Sequence, residues 1–403
     1  MRKIPFSSFK RISELSKNKK IVLFGGENIA EKTIRRLNKI DFIVDNNPNM
    51  WAAKRLGVNV YKPDVLKKEE NTDSFIIICT TSFSEVSEQL EDMGLSIEKD
   101  FVVSPILNDL RIISELESIN RSLLFTSGSP QQDSPDYGGG IYELVVDGYD
   151  WKYKKILSGV CYGLIHYGEN IIAIDDNLGI IELDREYNIV RSKELKKGSR
   201  CHGVAYSDIT NCFYVASSDL DQVFIFDSDF NHVNSIPLSD KYEIQKIPCH
   251  HCNDVCVAGH SLYVSMFSYT GNWKQDIFDG VVLEIDINTN KIRNPVISNL
   301  WMPHNISFLG GCLVVLESLR GHLRKHNAQV IGAFPGFTRG LDSDGEYFFI
   351  GQSRNRNYSK YIGLSKNISI DTSIIIFDEE TKVSRSLQLP SKLSEIHSIL
   401  LIE

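Results

Sequence analysis

The chain has 403 residues, more than one typical domain, and its 42% apolar and 24% charged residues are the balance of a folded rather than a disordered protein. A formal charge of −8 excludes a general nucleic-acid binder, which needs clustered Lys and Arg; the basic runs at 17–20, 193–197 and 320–325 are short and read as solvated faces or loops. No apolar run approaches the ~18 residues that span a bilayer, and the N-terminus lacks the apolar core of a signal peptide, so the expectation is a cytoplasmic chain with no membrane span and eight reduced cysteines.

Residues 1–107 alternate apolar runs with helical patterns, which predicts a small Rossmann-like α/β domain. Lys20-Ile21-Val22-Leu23-Phe24 reads as a buried strand that enters Gly25-Gly26 and a helix over 28–39. Phe42-Ile43-Val44 is a second strand ending at Asp45, and Phe75-Ile76-Ile77-Ile78-Cys79 a third, followed by a helix through Leu90. A glycine turn with an acid about 20 positions on has the outline of a dinucleotide fingerprint. That outline is degraded: Glu27 stands where a second glycine would approach a pyrophosphate, and Ala30 takes the third glycine position. Gly25, Gly26 and Asp45 are the candidate cofactor contacts, toward a nucleotide-linked or small polar ligand; the alternative is a structural or oligomerising domain. The segments Phe24-Gly25-Gly26-Glu27-Asn28, Val44-Asp45-Asn46-Asn47-Pro48 and Cys79-Thr80-Thr81-Ser82 resemble the small Rossmann-like domain attached to bacterial sugar acyltransferases and to some glycan-pathway methyltransferases. In the acyltransferases that domain helps hold a nucleotide-sugar, so the resemblance implies a place in surface-glycan synthesis.

Over 108–121, Leu110, Ile113, Leu116 and Ile119 recur at helical spacing and predict a connecting helix packed on one domain. The loop 129–140 is polar and rich in turn residues, as insertions over a propeller face are.

From 122 to 403 the rhythm is all-β and repeats. Six times a bulky polar residue stands just ahead of a short apolar strand: Tyr162, His202, Asn253, His304, Arg339 and His397. In four copies the next strand starts nine residues on (Ile171, Leu262, Leu313 and Phe348), and the His202 copy is two longer, in the turn 208–211. The sixth copy has a last strand over 398–402 with no partner after it, while 123–127 and 140–146 read as the second and third strands of a blade. Repeats of roughly 40 to 50 residues with four short strands predict a six-bladed β-propeller closed by the C-terminal strand. Apolar-Asp steps at Asp184, Asp227, Asp286 and Asp378 predict hairpin turns, and the short basic stretch 321–327 predicts an irregular edge in blade four.

The inner strand of each blade lines the central channel, so the six polar residues are expected to converge on one ring. His202, His304 and His397 fall in alternate blades and are the candidate catalytic residues; if a divalent metal is the cofactor, they are its ligands. Arg339 in the same ring opposes a cation, and together with Tyr162, Asn253 and Arg354 it suits an anionic or glycan ligand. A polar channel without ligand, a non-catalytic scaffold with a protein partner, and a His-lined metal-dependent hydrolase remain open beside it. Cys249-His250-His251-Cys252 has the residue types of a zinc half-site, but four adjacent residues do not easily face one ion. Cys161, Cys201 and Cys252 read as small buried residues, and Glu317 and Asp219 are weaker acid–base candidates.

Trp301-Met302-Pro303-His304-Asn305, the stretch from Phe334 to Leu341, and Phe349-Ile350-Gly351-Gln352-Ser353-Arg354 resemble a bacterial family of conserved hypothetical proteins, a domain of unknown function. The likeness covers most of 200–403. Cys249-His250 and Asn253-Asp254 are similar to that family's Cys-His and Asn-Gly steps, with an extra residue and Asp254 in place of glycine. The resemblance implies the fold and the weight of the ring; it supplies no reaction.

Overall fold

The computed structural model describes residues 5, 7–37, 39–68, 73–326, 329–356, 359 and 367–402, and the chain divides into two units, Met1–Ser118 and Ile119–Glu403. The first unit contains, in chain order, α1 (Phe9–Leu15), β1 (Lys20–Phe24), α2 (Asn28–Ile34), β2 (Phe42–Val44), β3 (Lys54–Arg55), β4 (Val58–Tyr61), β5 (Ser74–Ile78), α3 (Phe83–Asp92), β6 (Phe101–Val103) and α4 (Asn108–Glu117). The strands form one mixed sheet in the order β3-β4-β2-β1-β5-β6, with only β3 and β4 antiparallel. The period of two decides its cores. Val22, Phe24, Ile76 and Ile78 bury on one face, Leu23, Phe75 and Ile77 on the other.

Two expectations shift here. α2 stops at Ile34 rather than running to 39, because its last turn tightens: the Arg36 N–H donates to Thr33 O and the Leu37 N–H to Ile34 O. The stripe read over 108–121 is only half buried: Leu116 and Ile119 are inside, but Leu110 and Ile113 are 50% and 47% exposed. Beside Leu116, α4 buries Arg111, Ile112 and Glu115. Arg111 donates from Nη1 to Pro5 O (2.7 Å) and lies 3.8 Å from Glu115, so a buried ion pair faces inward with the apolar residues.

In the second unit the turns make the blades. Asp184, Asp227 and Asp286 each accept backbone N–H groups two to four residues on, which holds their carboxyls below the usual range, and Asp378 accepts from Thr381. The result is six four-stranded antiparallel sheets, a six-bladed β-propeller. The inner strands are Cys161–Tyr167, Cys201–Ser207, Cys252–Ala258, Pro303–Leu309, Phe337–Ser343 and Ile399–Ile402, in blades one to six, each beside the next. In blade six, Ile399–Ile402 pairs antiparallel with Asn120–Ser127, with Ile399 opposite Phe125. Blade four is complete, although its strand His322–Lys325 has four residues.

Apolar slabs between neighbouring sheets form the core. One joins Tyr214 and Val223 of blade two to Val264 and Leu283 of blade three; another joins Leu316 and Leu323 of blade four to Ile350 and Ile375 of blade five. No helix among the described residues is long and apolar enough to cross a membrane.

Candidate functional site

Five of the six inner strands carry a register shift at their first residues, between Cys161 and Leu164, Cys201 and Val204, Cys252 and Val255, His304 and Ile306, and Thr338 and Leu341. A bulge bends the strand and re-aims a side chain. Tyr162, His202, Asn253, His304 and Arg339 sit at or beside these bulges, and His397 just before the sixth inner strand. The residues after them keep the bulge open: Asn305 (φ 43°) and Gly340 (φ 78°) are left-handed.

The structure brings the six together at one mouth of the channel. The Tyr162 ring stacks on His202 (4.5 Å, 11°) and meets His397 edge-on (4.7 Å). His202 Nδ1 lies 3.4 Å from Asn253 Oδ1. Arg339 donates from Nε to His304 Nε2 (3.2 Å) and from Nη1 to Glu395 Oε2 (3.4 Å), and the same Nη1 is 3.2 Å from His397 Nε2. His251 and Phe267 fill the interval between His202 and His304, at 5.9, 4.2 and 5.0 Å along the path. The fit is close: a Cβ on Gly128 would lie 2.6 Å from His397 Nε2.

Hydrogen bonds assign the protons. His304 Nε2 accepts from Arg339, so its proton is on Nδ1, facing Met302 O (3.0 Å) and Ser318 Oγ (2.7 Å). His397 Nε2 is 2.9 Å from Glu395 Oε2, and that shorter contact to a carboxylate makes it the donor. Burial, with Arg339 next, pushes His304 well below its ordinary value and His397 down to about 4. Burial brings Arg339 down to about 10, against the pull of Glu395. Burial works to raise Glu395, but the His397 hydrogen bond and the Arg339 charge win and hold it well below the carboxylate range. The mouth therefore carries neutral imidazoles around one arginine–glutamate pair.

His202 differs from its neighbours. Burial above all keeps it neutral. Its Nε2 and the Asn253 Nδ2 are both buried without a hydrogen-bond partner. With Asn253 Oδ1 accepting from Nδ1, the pair presents one bare acceptor, Nε2, and one bare donor, Nδ2. Flipping the amide swaps the roles and leaves the same complement. At the rim, Tyr162 Oη donates to Asp176 Oδ2 (3.3 Å) and also bonds Arg200, while Arg356 pairs with Glu395 (2.6 Å).

These residues do not fit a metal. Among the described residues no group of three or more His, Cys, Asp or Glu side chains is placed to hold one. A guanidinium occupies the space between His304 and His397, which corrects the reading of His202, His304 and His397 as metal ligands. Cys249-His250-His251-Cys252 disperses. Cys249 Sγ faces Ile247 O, His250 bonds Ser239 and Ser268, His251 packs on Phe267 and Trp273, and Cys252 joins an apolar slab. Asp221 holds that turn by accepting the N–H groups of Cys249, His250 and His251. Glu317 is fully buried and saturated by Trp301 N, Arg320, His322 and Arg324, so it is no free base. Arg354 lies near the rim, with its backbone N–H on Ser394 O, while the arginine that reaches Glu395 is Arg356.

In the N-terminal unit, Asp45 accepts the N–H of Gly26 (2.7 Å) and of Asn47 (2.8 Å), closing the turn from inside. A Cβ on Gly25, at φ 105°, would lie 2.9 Å from Cys79 O. Close approach of the neighbouring strand thus accounts for that glycine without a ligand.

Sequence reading missed Glu395, His251, Phe267, Arg200 and Asp176. Glu395 had the one usable signal, an acid two residues before a ring histidine. The others come from loops outside the repeated column.

The fold and ring define the class: a six-bladed propeller with a polar, largely buried cluster at one mouth, preceded by an α/β unit. Residues 245–403 match the model of a domain of unknown function (DUF4915), and residues 17–101 match one described as C2185-like, N-terminal. The first match holds Asn253, His304, Arg339 and His397 and is narrower than the likeness read over 200–403. This part of the chain is thus similar to an uncharacterised propeller family. No curated protein matches the chain in sequence. Among solved structures the chain is similar to a chain of a nidogen/laminin complex (13% identity, 70% of this chain and 98% of that one, TM-score 0.48). It is also similar to a protein of unknown function from Bacteroides caccae (14%, 70% and 99%, 0.48) and to the calcium-binding protein regucalcin from Agrobacterium tumefaciens str. C58 (11%, 58% and 75%, 0.41). Likenesses at this level carry no argument about what the ring does.

Proposed function

We propose that the propeller binds a carbohydrate, free or nucleotide-linked, at the His/Arg/Asn/Tyr mouth of its channel, in the cytoplasm, as part of bacterial surface-glycan synthesis. The C-terminal strand closes the ring that holds this site, and the N-terminal unit is a Rossmann-like domain serving the same pathway. The observation that carries the reading is the bare acceptor–donor pair on His202 and Asn253. A sugar hydroxyl donates and accepts at once and satisfies both atoms, whereas an anion lacks the proton that a bare Nε2 calls for. Leaving each atom unpaired costs about 1–3 kcal/mol, and that cost is recovered only by a ligand or water of matching polarity. Tyr162, stacked on His202, holds the pair in place, and Arg339 and Arg200 accommodate an acidic substituent. Binding is favoured over modification because His304 and His397 are committed to Arg339 and Glu395, and burial weakens His202 as a base.

Calorimetric titration of the full chain with nucleotide-sugars, neutral sugars and sugar acids tests this. Saturable binding should weaken at least about tenfold in His202→Ala and in Asn253→Ala, as expected for loss of a buried hydrogen bond. Absence of binding to every sugar by a folded protein sinks the reading and leaves the propeller as an interaction scaffold.

A further inference from the structure

At the channel end opposite the ring, the inner strands line a cavity of about 550 Å³. It is independent of the carbohydrate reading and differs in chemistry. Three carboxylates, Asp208, Asp254 and Asp342, line it, with no Lys or Arg among the described residues there. The one basic side chain is His166, whose Nε2 sits 2.9 Å from Leu401 O. Tyr167, Tyr206 and Phe308 also line the cavity; the two tyrosines meet edge to face at 4.8 Å, and Phe308 is 47% exposed.

Backbone groups of neighbouring blades fix the two deeper carboxylates. Asp254 accepts from Val255 N (3.0 Å) and, in blade four, Ile306 N (3.1 Å); Asp342 accepts from Ser343 N and, in blade six, Leu401 N, both at 2.8 Å. Gly203 makes room, since a Cβ there would fall 1.9 Å from Asp254 Oδ1. Asp254 is deep in the molecule, yet water reaches part of it along the channel. Burial outweighs its two backbone hydrogen bonds and raises its carboxyl to about 7.

Fixed carboxylates at the base of a cavity with aromatic walls select a cation that is weakly hydrated and donates hydrogen bonds or stacks on rings. A metal ion is a poor match, because among the described residues no three ligating side chains converge. We infer that this cavity is a second binding site, for a small organic ammonium ion, with Asp254 as its charge partner, Asp342 adding to the negative field, and Tyr167, Tyr206 and Phe308 as aromatic walls.

Titration of the full-length protein with choline and with putrescine, at constant ionic strength and against potassium chloride and glycerol as controls, tests the site. Saturable amine binding is expected, weakened at least about tenfold by Asp254→Asn and about threefold by Phe308→Ala, and kept in His202→Ala at the other mouth. Should Asp254→Asn fail to fold, the exposed Phe308→Ala decides alone. No saturable binding of either amine, an equal response to potassium, or binding unchanged in Phe308→Ala and in folded Asp254→Asn would overturn the assignment.

Discussion

The two mouths of the channel are built from adjacent residues of the same strands and have opposite electrostatics. Asn253 belongs to the ring and Asp254 to the cavity; His304 and Asn305, and His397 and Ser398, divide in the same way. At the ring, side chains bond one another and a guanidinium sits among neutral imidazoles. In the cavity, carboxylates bond backbone N–H groups and, among the described residues, no arginine or lysine lines the wall. In five of the six blades the bulge of the inner strand separates them, because it turns consecutive residues to different levels of one channel. One strand pattern thus carries two unlike sets of polar side chains.

The difference predicts opposite responses to substitution and to pH. The largest effect falls on the ring. Arg339→Ala removes the cation from a mostly buried Glu395, leaving Arg356 and His397 as its partners, and should destabilise the protein by about 3 kcal/mol in denaturant unfolding. Next comes acid. The ring histidines titrate below their unfolded value of about 6.5, so the folded state binds fewer protons; their contribution is complete above that pH and is lost as pH falls toward the folded values. His397→Gln should remove about 2 kcal/mol of the stability lost between pH 7 and 5, read from unfolding midpoints. An unchanged acid slope would mean that the ring does not sense pH.

Asp254 works the other way. Its folded value of about 7 lies above the unfolded one, so the folded state binds more protons, and stability falls as pH rises through 7. Asp254→Asn should be more stable than the parent at pH 8 by on the order of 1 kcal/mol and should lose that advantage near pH 4. The smallest effect belongs to Phe308→Ala, which is expected to change stability by less than about 0.5 kcal/mol because the ring is half exposed. A larger loss would make Phe308 a structural residue and weaken it as a wall of the amine site.

The blades were legible because their strands repeat at a nearly constant interval and four of the hairpins place an aspartate where a turn needs an acceptor. The ring residues were legible because six bulky polar side chains stood in one column of that repeat. Their partners were not. Glu395 precedes the last strand in a segment with no periodicity, and His251 reaches the ring only because its backbone is left-handed (φ 52°), held there by Asp221. Asp254 was visible as a departure from glycine, but its clasp on the Ile306 N–H depends on a neighbouring blade that local pattern does not reveal. The buried face of α4 was misread for a related reason: apolar spacing says nothing of a paired Arg111 and Glu115.

The sixth blade joins Ile399–Ile402 to strands that begin at Asn120, and the residues just before that last strand include Glu395 and His397. A ribosome therefore delivers the final members of the ring only after the five complete blades have emerged. Until then Asn120–Ser127 lacks its partner and Arg339 lacks its counter-charge. A chain cut before Glu395 would therefore carry five blades but neither the counter-charge of Arg339 nor the last histidine of this mouth.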